Sequence, residues 1–101
     1  MHTLMVLYRP PADRAAFNQY YEQVHLPLAR KLPGVRAARY SLDVAAAEGD
    51  PTFTAVFEAD FDSAEDMAAA LASPEGAAAQ ADIPNFATGG LEILHFPART
   101  S

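Results

Sequence analysis

Cysteine and tryptophan are both missing from this chain of 101 residues. Without a thiol there is no disulfide, no thiolate nucleophile, no zinc knuckle and no cysteine-ligated iron–sulfur cluster. Basic residues are scarce: seven Lys and Arg face thirteen Asp and Glu, for a net charge of −6. A nucleic-acid-binding face needs clustered cations to displace counterions, so that function class is excluded. The same charge gives no attraction to an anionic membrane surface. No glycine-rich phosphate loop is present, because Gly89-Gly90 leads into a predicted strand and not a helix. A Gly-x-Ser-x-Gly elbow and an EF-hand loop are also absent. Long apolar runs are missing too. The run from Met1 to Tyr8 has no basic leader and stops at Arg9-Pro10-Pro11, too short for a signal peptide or a membrane span. The expectation is a cytoplasmic protein whose first residues form a strand.

Half of the residues are apolar and a fifth are charged, the balance of a globular chain. At this length one domain over residues 1–101 is expected, with a core thin enough to gain from oligomerisation.

Periodicity predicts the elements. Residues 2–9 read as a strand with apolar side chains on both faces, ended by two prolines. Asp13 is the predicted cap of a helix whose apolar positions Phe17, Tyr21, Val24, Leu28 and Leu32 make one stripe, stopped by Pro33-Gly34. Pro27 inside that helix removes the hydrogen bond to the carbonyl of Gln23 and predicts a kink beside His25. Residues 35–45 and 52–61 alternate as strands and are close enough for a hairpin across Glu48-Gly49-Asp50-Pro51. Asp62-Ser63-Ala64-Glu65 reads as a capping box opening a second helix. Ser73-Pro74 starts a third, which runs to about Asp82 and is broken by Ile83-Pro84-Asn85-Phe86. A last strand covers 91–96. This order is the α+β ferredoxin-like βαββαβ pattern with a four-stranded antiparallel sheet. The helices of that fold cover one sheet face. The other carries Met5, Leu7, Val56, Leu94 and Phe96, or the opposite set if the register differs, which predicts a homodimer closed by a twofold copy.

Among residues that could carry chemistry, His25 stands first. On an ideal wheel it lies about 60° from the centre of the apolar stripe, at the margin of the buried face. It either packs there as a boundary histidine or acts as an acid or base near neutral pH. Tyr8, Tyr20 and Tyr40 could each donate a hydrogen bond to an oxygen of a bound ring, or serve as core aromatics with wet hydroxyls. Asp82 could partner His25 or a substrate, or cap a turn; Phe86 could cover the mouth of a cleft, or plug the core. His2 and His95 approach each other if the first and last strands pair, but two histidines without a third ligand are no metal site. No cofactor and no metal are expected.

The stretch Phe17-x-x-Tyr20-Tyr21-x-x-x-His25-x-Pro27-Leu28-Ala29-x-x-x-Pro33-Gly34 resembles the opening signature of the EthD family. So do Phe61-x-Ser63-x-Glu65-x-Met67, Ser73-Pro74-Glu75 and Asp82-x-x-Asn85-Phe86. The family is named for a protein encoded with an ethyl tert-butyl ether degradation system, and the resemblance implies a dimeric α/β barrel of ferredoxin-like subunits. Methylmuconolactone isomerases, cofactor-free enzymes of similar fold, carry a histidine at the spacing of His25 from Pro33-Gly34. Tyr40 lies two residues later than their strand tyrosine, and a further histidine of theirs has no counterpart here. The resulting expectation is a cofactor-free isomerase, cyclase or lyase acting on a small, mostly apolar oxygenated molecule. His25 would move the proton and Tyr40 or Tyr8 would hold the oxygen, with Tyr20, Asp82 and Phe86 lining the substrate. The alternatives are a non-catalytic binder or accessory protein of an oxidative system, a cofactor-free monooxygenase, and a purely structural dimerisation module.

Overall fold

The computed structural model describes all residues from Met1 to Ser101. Alternation of side chains builds the sheet: β1 (His2–Tyr8) turns Leu4, Val6 and Tyr8 inward, and β3 (Ala55–Phe61) turns Ala55, Phe57, Ala59 and Phe61 the same way. β1 lies in the middle, antiparallel to β3 on one side and to β4 (Leu91–Pro97) on the other, with β2 (Ala37–Ser41) beyond β3. The order β2-β3-β1-β4 is that of the ferredoxin-like fold.

Both long strands of the predicted hairpin are shorter than their patterns. β2 keeps only Ala37–Ser41 of the stretch 35–45, because it is an edge strand whose residues are almost all exposed. Single backbone bonds from Arg36 to Asp60 and from Val44 to Thr54 continue the pairing at either end without a regular ladder.

Helices α1 (Arg14–Tyr20), α2 (Leu26–Ala29), α3 (Ala64–Ala72) and α4 (Pro74–Asp82) follow the sequence signals for starting a helix. The Asp13 carboxylate accepts from the Ala16 amide at 3.0 Å, and the Ser63 hydroxyl accepts from Asp66 at 3.1 Å. Ser73 serves twice: it closes α3 by donating to the Ala70 carbonyl and opens α4 by accepting from the Gly76 amide. Each such cap stabilises its helix by about 1 kcal/mol. Gly76 itself is required by close packing, since a Cβ there would overlap the carbonyls of Ala70 and Leu71.

The helices cover one sheet face, and the core lies between them. Its aromatic centre is Tyr8, Phe17, Tyr21 and Phe86, whose rings meet mostly edge to face at 5.4–5.6 Å. Each such pair adds about 0.5–1.5 kcal/mol beyond the burial itself. The register puts Met5, Leu7, Val56, Leu94 and Phe96 together on the opposite, uncovered face, as the strand pattern implied. Arg39 bridges Glu58 and Asp60 on the same face at 2.7 and 3.1 Å, so the acidic pair there is neutralised in part. No helix is long and apolar enough to cross a membrane.

Candidate active site

The first helix loses its regular ladder at Pro27. α1 passes through one wider, π-helical turn, Tyr21–His25, before continuing as α2. The Leu26 amide reaches back five residues to the Tyr21 carbonyl. Pro27 has no N–H to give, so the regular ladder is interrupted here in any case, and the wide turn is the local solution. The insertion has a consequence for side chains. A wheel of 3.6 residues per turn places Val24 inside and His25 at the margin. One extra residue per turn rotates the face, leaving Val24 40% exposed and His25 only 5% exposed. The buried positions run Phe17, Tyr21, His25, Ala29.

Where His25 enters, the end of α4 meets it. The imidazole Nδ1 lies 3.0 Å from Asp82 Oδ2. The other carboxylate oxygen, Oδ1, accepts from the Tyr20 hydroxyl at 2.5 Å and from Asn85 Nδ2 at 3.0 Å. Asn85 comes from the 3-10 turn Ile83–Asn85 that follows α4, which is what brings its amide back to Asp82. Phe86 follows and packs its ring on the imidazole, 4.5 Å between centroids. It is buried among the rings of Tyr8, Phe17, Tyr20 and Tyr21, the arrangement of a core plug.

These contacts set the protonation states. Burial lowers the His25 pKa below the ordinary 6.5, outweighing the Asp82 hydrogen bond and charge that favour the cation. Burial acts on Asp82 in the opposite sense, but the hydrogen bonds from Tyr20, Asn85 and His25 together hold its carboxyl below 3.8. At neutral pH the pair is a carboxylate and a neutral imidazole. A carboxylate only accepts, so the proton sits on Nδ1 and the Nε2 lone pair is free.

His25 also lines an apolar cavity of about 190 Å³ between the sheet and the helices. Leu4, Val6, Tyr8, Phe57 and Ile83 contribute to its wall, Gln80 adds a polar group, and no Lys or Arg reaches it. Burial pushes the Tyr8 phenol up to about 12, so it stays a hydrogen-bond donor across the working range. A base with a free lone pair and a phenolic donor on one apolar wall can take a proton from carbon and hold the oxygen that gains charge.

The predicted site residues therefore separate. His25, Asp82, Tyr20 and Phe86 are brought into one cluster, with Tyr20 bound to Asp82 and not directed into the cavity. Tyr8 joins His25 in the cavity wall. Tyr40 does not: its hydroxyl donates to Glu22 at 2.7 Å, and it lines grooves outside the cavity. His2 and His95 meet at 2.8 Å across β1 and β4, yet no third ligand joins them, and no group of three or more His, Cys, Asp or Glu is arranged to hold a metal. Sequence reasoning missed the part played by Asn85, which donates to Asp82. Asn85 follows Asp82 at a spacing of three within a helix break, a signal for a side-chain bond back to the acid.

The family profile of the EthD domain matches residues 9–90. An uncharacterised 11.0 kDa protein of Rhodococcus erythropolis, encoded between thcB and thcC, is 35% identical over 94 residues, 93% of this chain and 91% of that protein. The crystal structure of an EthD family protein from Bacillus halodurans is 31% identical and superposes with a TM-score of 0.91, over 98% of this chain and 99% of that one. A dimeric protein of ferredoxin-like fold from Bacteroides fragilis, 16% identical with a TM-score of 0.67, covers 94% of this chain and 93% of its own, and shares the fold alone. The chain belongs to the EthD family.

Proposed function

We propose that this protein is a cofactor-free enzyme that moves a proton between carbons of a small, mostly apolar carbonyl compound. The observation that carries the reading is His25 in the wall of an apolar cavity with Asp82 bound behind it. His25 Nε2 takes a proton from the carbon next to the carbonyl, and the electron pair moves onto the carbonyl oxygen, to which Tyr8 donates. The imidazolium so formed is held by Asp82, which accepts from Nδ1–H and carries the opposite charge. Return of the proton to another carbon completes an isomerisation; loss of a leaving group from the same intermediate completes an elimination.

The working unit in this reading is a homodimer. Leu94 and Phe96 are 46% and 37% exposed on the uncovered sheet face, where they join Met5, Leu7 and Val56 in one apolar patch. An apolar sheet face left uncovered is where a partner gains most by docking, and the dimeric ferredoxin-like protein from Bacteroides fragilis has the same fold. Sedimentation velocity at micromolar concentration is expected to find a dimer, with Leu94→Glu shifted to monomer while its circular dichroism is unchanged. A variant as dimeric as wild type would contradict this assembly.

Two steps test the function. Thermal shift against lactones, quinones, cyclic ketones and phenols finds ligands, because binding to the native state alone raises Tm. Proton NMR in D2O then follows exchange at the carbon next to the carbonyl. Enzyme-dependent exchange supports proton transfer; ligands that bind with no exchange at any carbon would make the protein a binder.

A further inference from the structure

Tyr21 is 1% exposed, and its hydroxyl is the one buried side-chain polar atom in the chain with no hydrogen-bond partner. A buried phenol without a partner destabilises the fold, and phenylalanine would fill the same space without that cost. Its ring packs against those of Tyr8, Phe17, His25, Tyr40 and Phe86, and of these Tyr8, edge to face at 5.5 Å, is the one whose hydroxyl acts most strongly on that of Tyr21. Tyr8 reaches the cavity wall beside His25, whereas Tyr21 lies behind it and does not line the cavity. If negative charge gathers on the Tyr8 oxygen, the Tyr21 hydroxyl is the group that stabilises it by donating a hydrogen bond. A ligand oxygen that draws on the Tyr8 proton creates that charge, and successive hydrogen bonds in a dry site strengthen one another.

The cavity limits what such a ligand can be. An apolar cavity of about 150 Å³ takes up benzene, so the 190 Å³ here suits one ring with a small substituent. No cation lines the wall, and the nearest charge behind His25 is the Asp82 carboxylate. A carboxylate ligand would lose its water with no counter-ion and face a like charge.

We propose that Tyr21 is a positioning residue that backs Tyr8, so that the two phenols receive the carbonyl oxygen of an uncharged, single-ring ligand. The proposal rests on the cavity reading above and names its substrate class. It does not require that His25 transfer a proton.

The test uses acetophenone and benzoate, which have the same number of heavy atoms and differ in charge. Isothermal titration at pH 7 gives the affinities, and the infrared stretch of carbonyl-labelled acetophenone reports the hydrogen bonds at its oxygen. Acetophenone is expected to bind at least tenfold more tightly than benzoate, with its carbonyl stretch lowered on binding. Tyr8→Phe should abolish most of that lowering. Tyr21→Phe should remove part of it and weaken binding a few-fold, while Tm stays the same or rises because an orphan hydroxyl has gone. Three results would each overturn the proposal: benzoate binding as well as acetophenone, no acetophenone binding at millimolar concentration, or a Tyr21→Phe stretch identical to wild type. A fall in Tm for Tyr21→Phe would also count against it, since the hydroxyl would then have a structural partner. If the stretch behaves as expected in His25→Gln and no carbon exchanges its proton in wild type, this inference stands and the enzymatic reading falls.

Discussion

Replacing His25 by Gln is expected to cut carbon-proton exchange of a bound ketone by about 10²–10⁴-fold, the usual contribution of a positioned acid or base. Glutamine fills a similar volume and can still donate to Asp82 from its side-chain amide, but it has no lone pair basic enough to take a proton. Binding of the same ketone should change little, because the apolar wall and Tyr8 are untouched. In wild type the exchange rate should fall on acidification, as the imidazole takes up the proton it must keep free. The fall should be centred below pH 6.5, because burial lowers the His25 pKa in spite of Asp82. The Gln variant should lack that limb. An equal rate in both proteins would remove His25 from the chemistry.

Asp82→Ala is expected to destabilise the fold. It takes the common acceptor away from Tyr20, His25 and Asn85 and leaves a space in a packed region. Two of the stranded donors, Tyr20 and Asn85, sit near solvent and can find water. The His25 N–H cannot, so the cost should be about 3 kcal/mol, measurable by urea unfolding. Asp82→Asn should cost less, since the amide oxygen can still accept. It should nevertheless slow exchange, because the amide can equally turn its NH2 toward Nδ1 and select the wrong tautomer.

Acid links the two residues. His25 has its pKa lowered by folding, so the unfolded chain binds its proton first, and stability present above 6.5 is lost as pH falls through the folded value. Asp82 is also lowered on folding, so its contribution is present above 3.8 and disappears at more acidic pH. Both slopes have the same sign: wild type should lose stability from about pH 6.5 downward. The His25→Gln protein should be flatter in the upper part of that range and resemble wild type in the lower part.

How much of this was legible in the residues depends on the range of the interaction. Alternation at Phe53, Ala55, Phe57, Ala59 and Phe61 marked β3 and its buried face, and Asp13, Ser63 and Ser73 marked helix starts with their own side chains. Those are local effects, visible within a few residues. The apolar second sheet face followed from the same alternation once register was known. The π turn was not legible, because a wheel assumes 3.6 residues per turn, and Pro27 announces only that a regular turn must fail. It does not say how the turn fails. The wider turn moved His25 from the margin to the interior and Val24 out of it. The bond from Tyr40 to Glu22 depends on where β2 lies against the π turn, which no pattern in either segment specifies. Asp82 was nameable as a partner because a helix broke beside it. Its three hydrogen bonds required the fold.

The chemistry proposed for the cavity depends on the state of one ring, that of His25. Nitrogen-15 NMR of histidine-labelled protein reads the tautomer and titration of His25 without any substrate. The expected spectrum at pH 7 is a neutral imidazole with its proton on Nδ1, titrating below 6.5, and changed in Asp82→Asn. A proton on Nε2, or an imidazolium at pH 7, would leave no free base facing the cavity and would contradict the assignment.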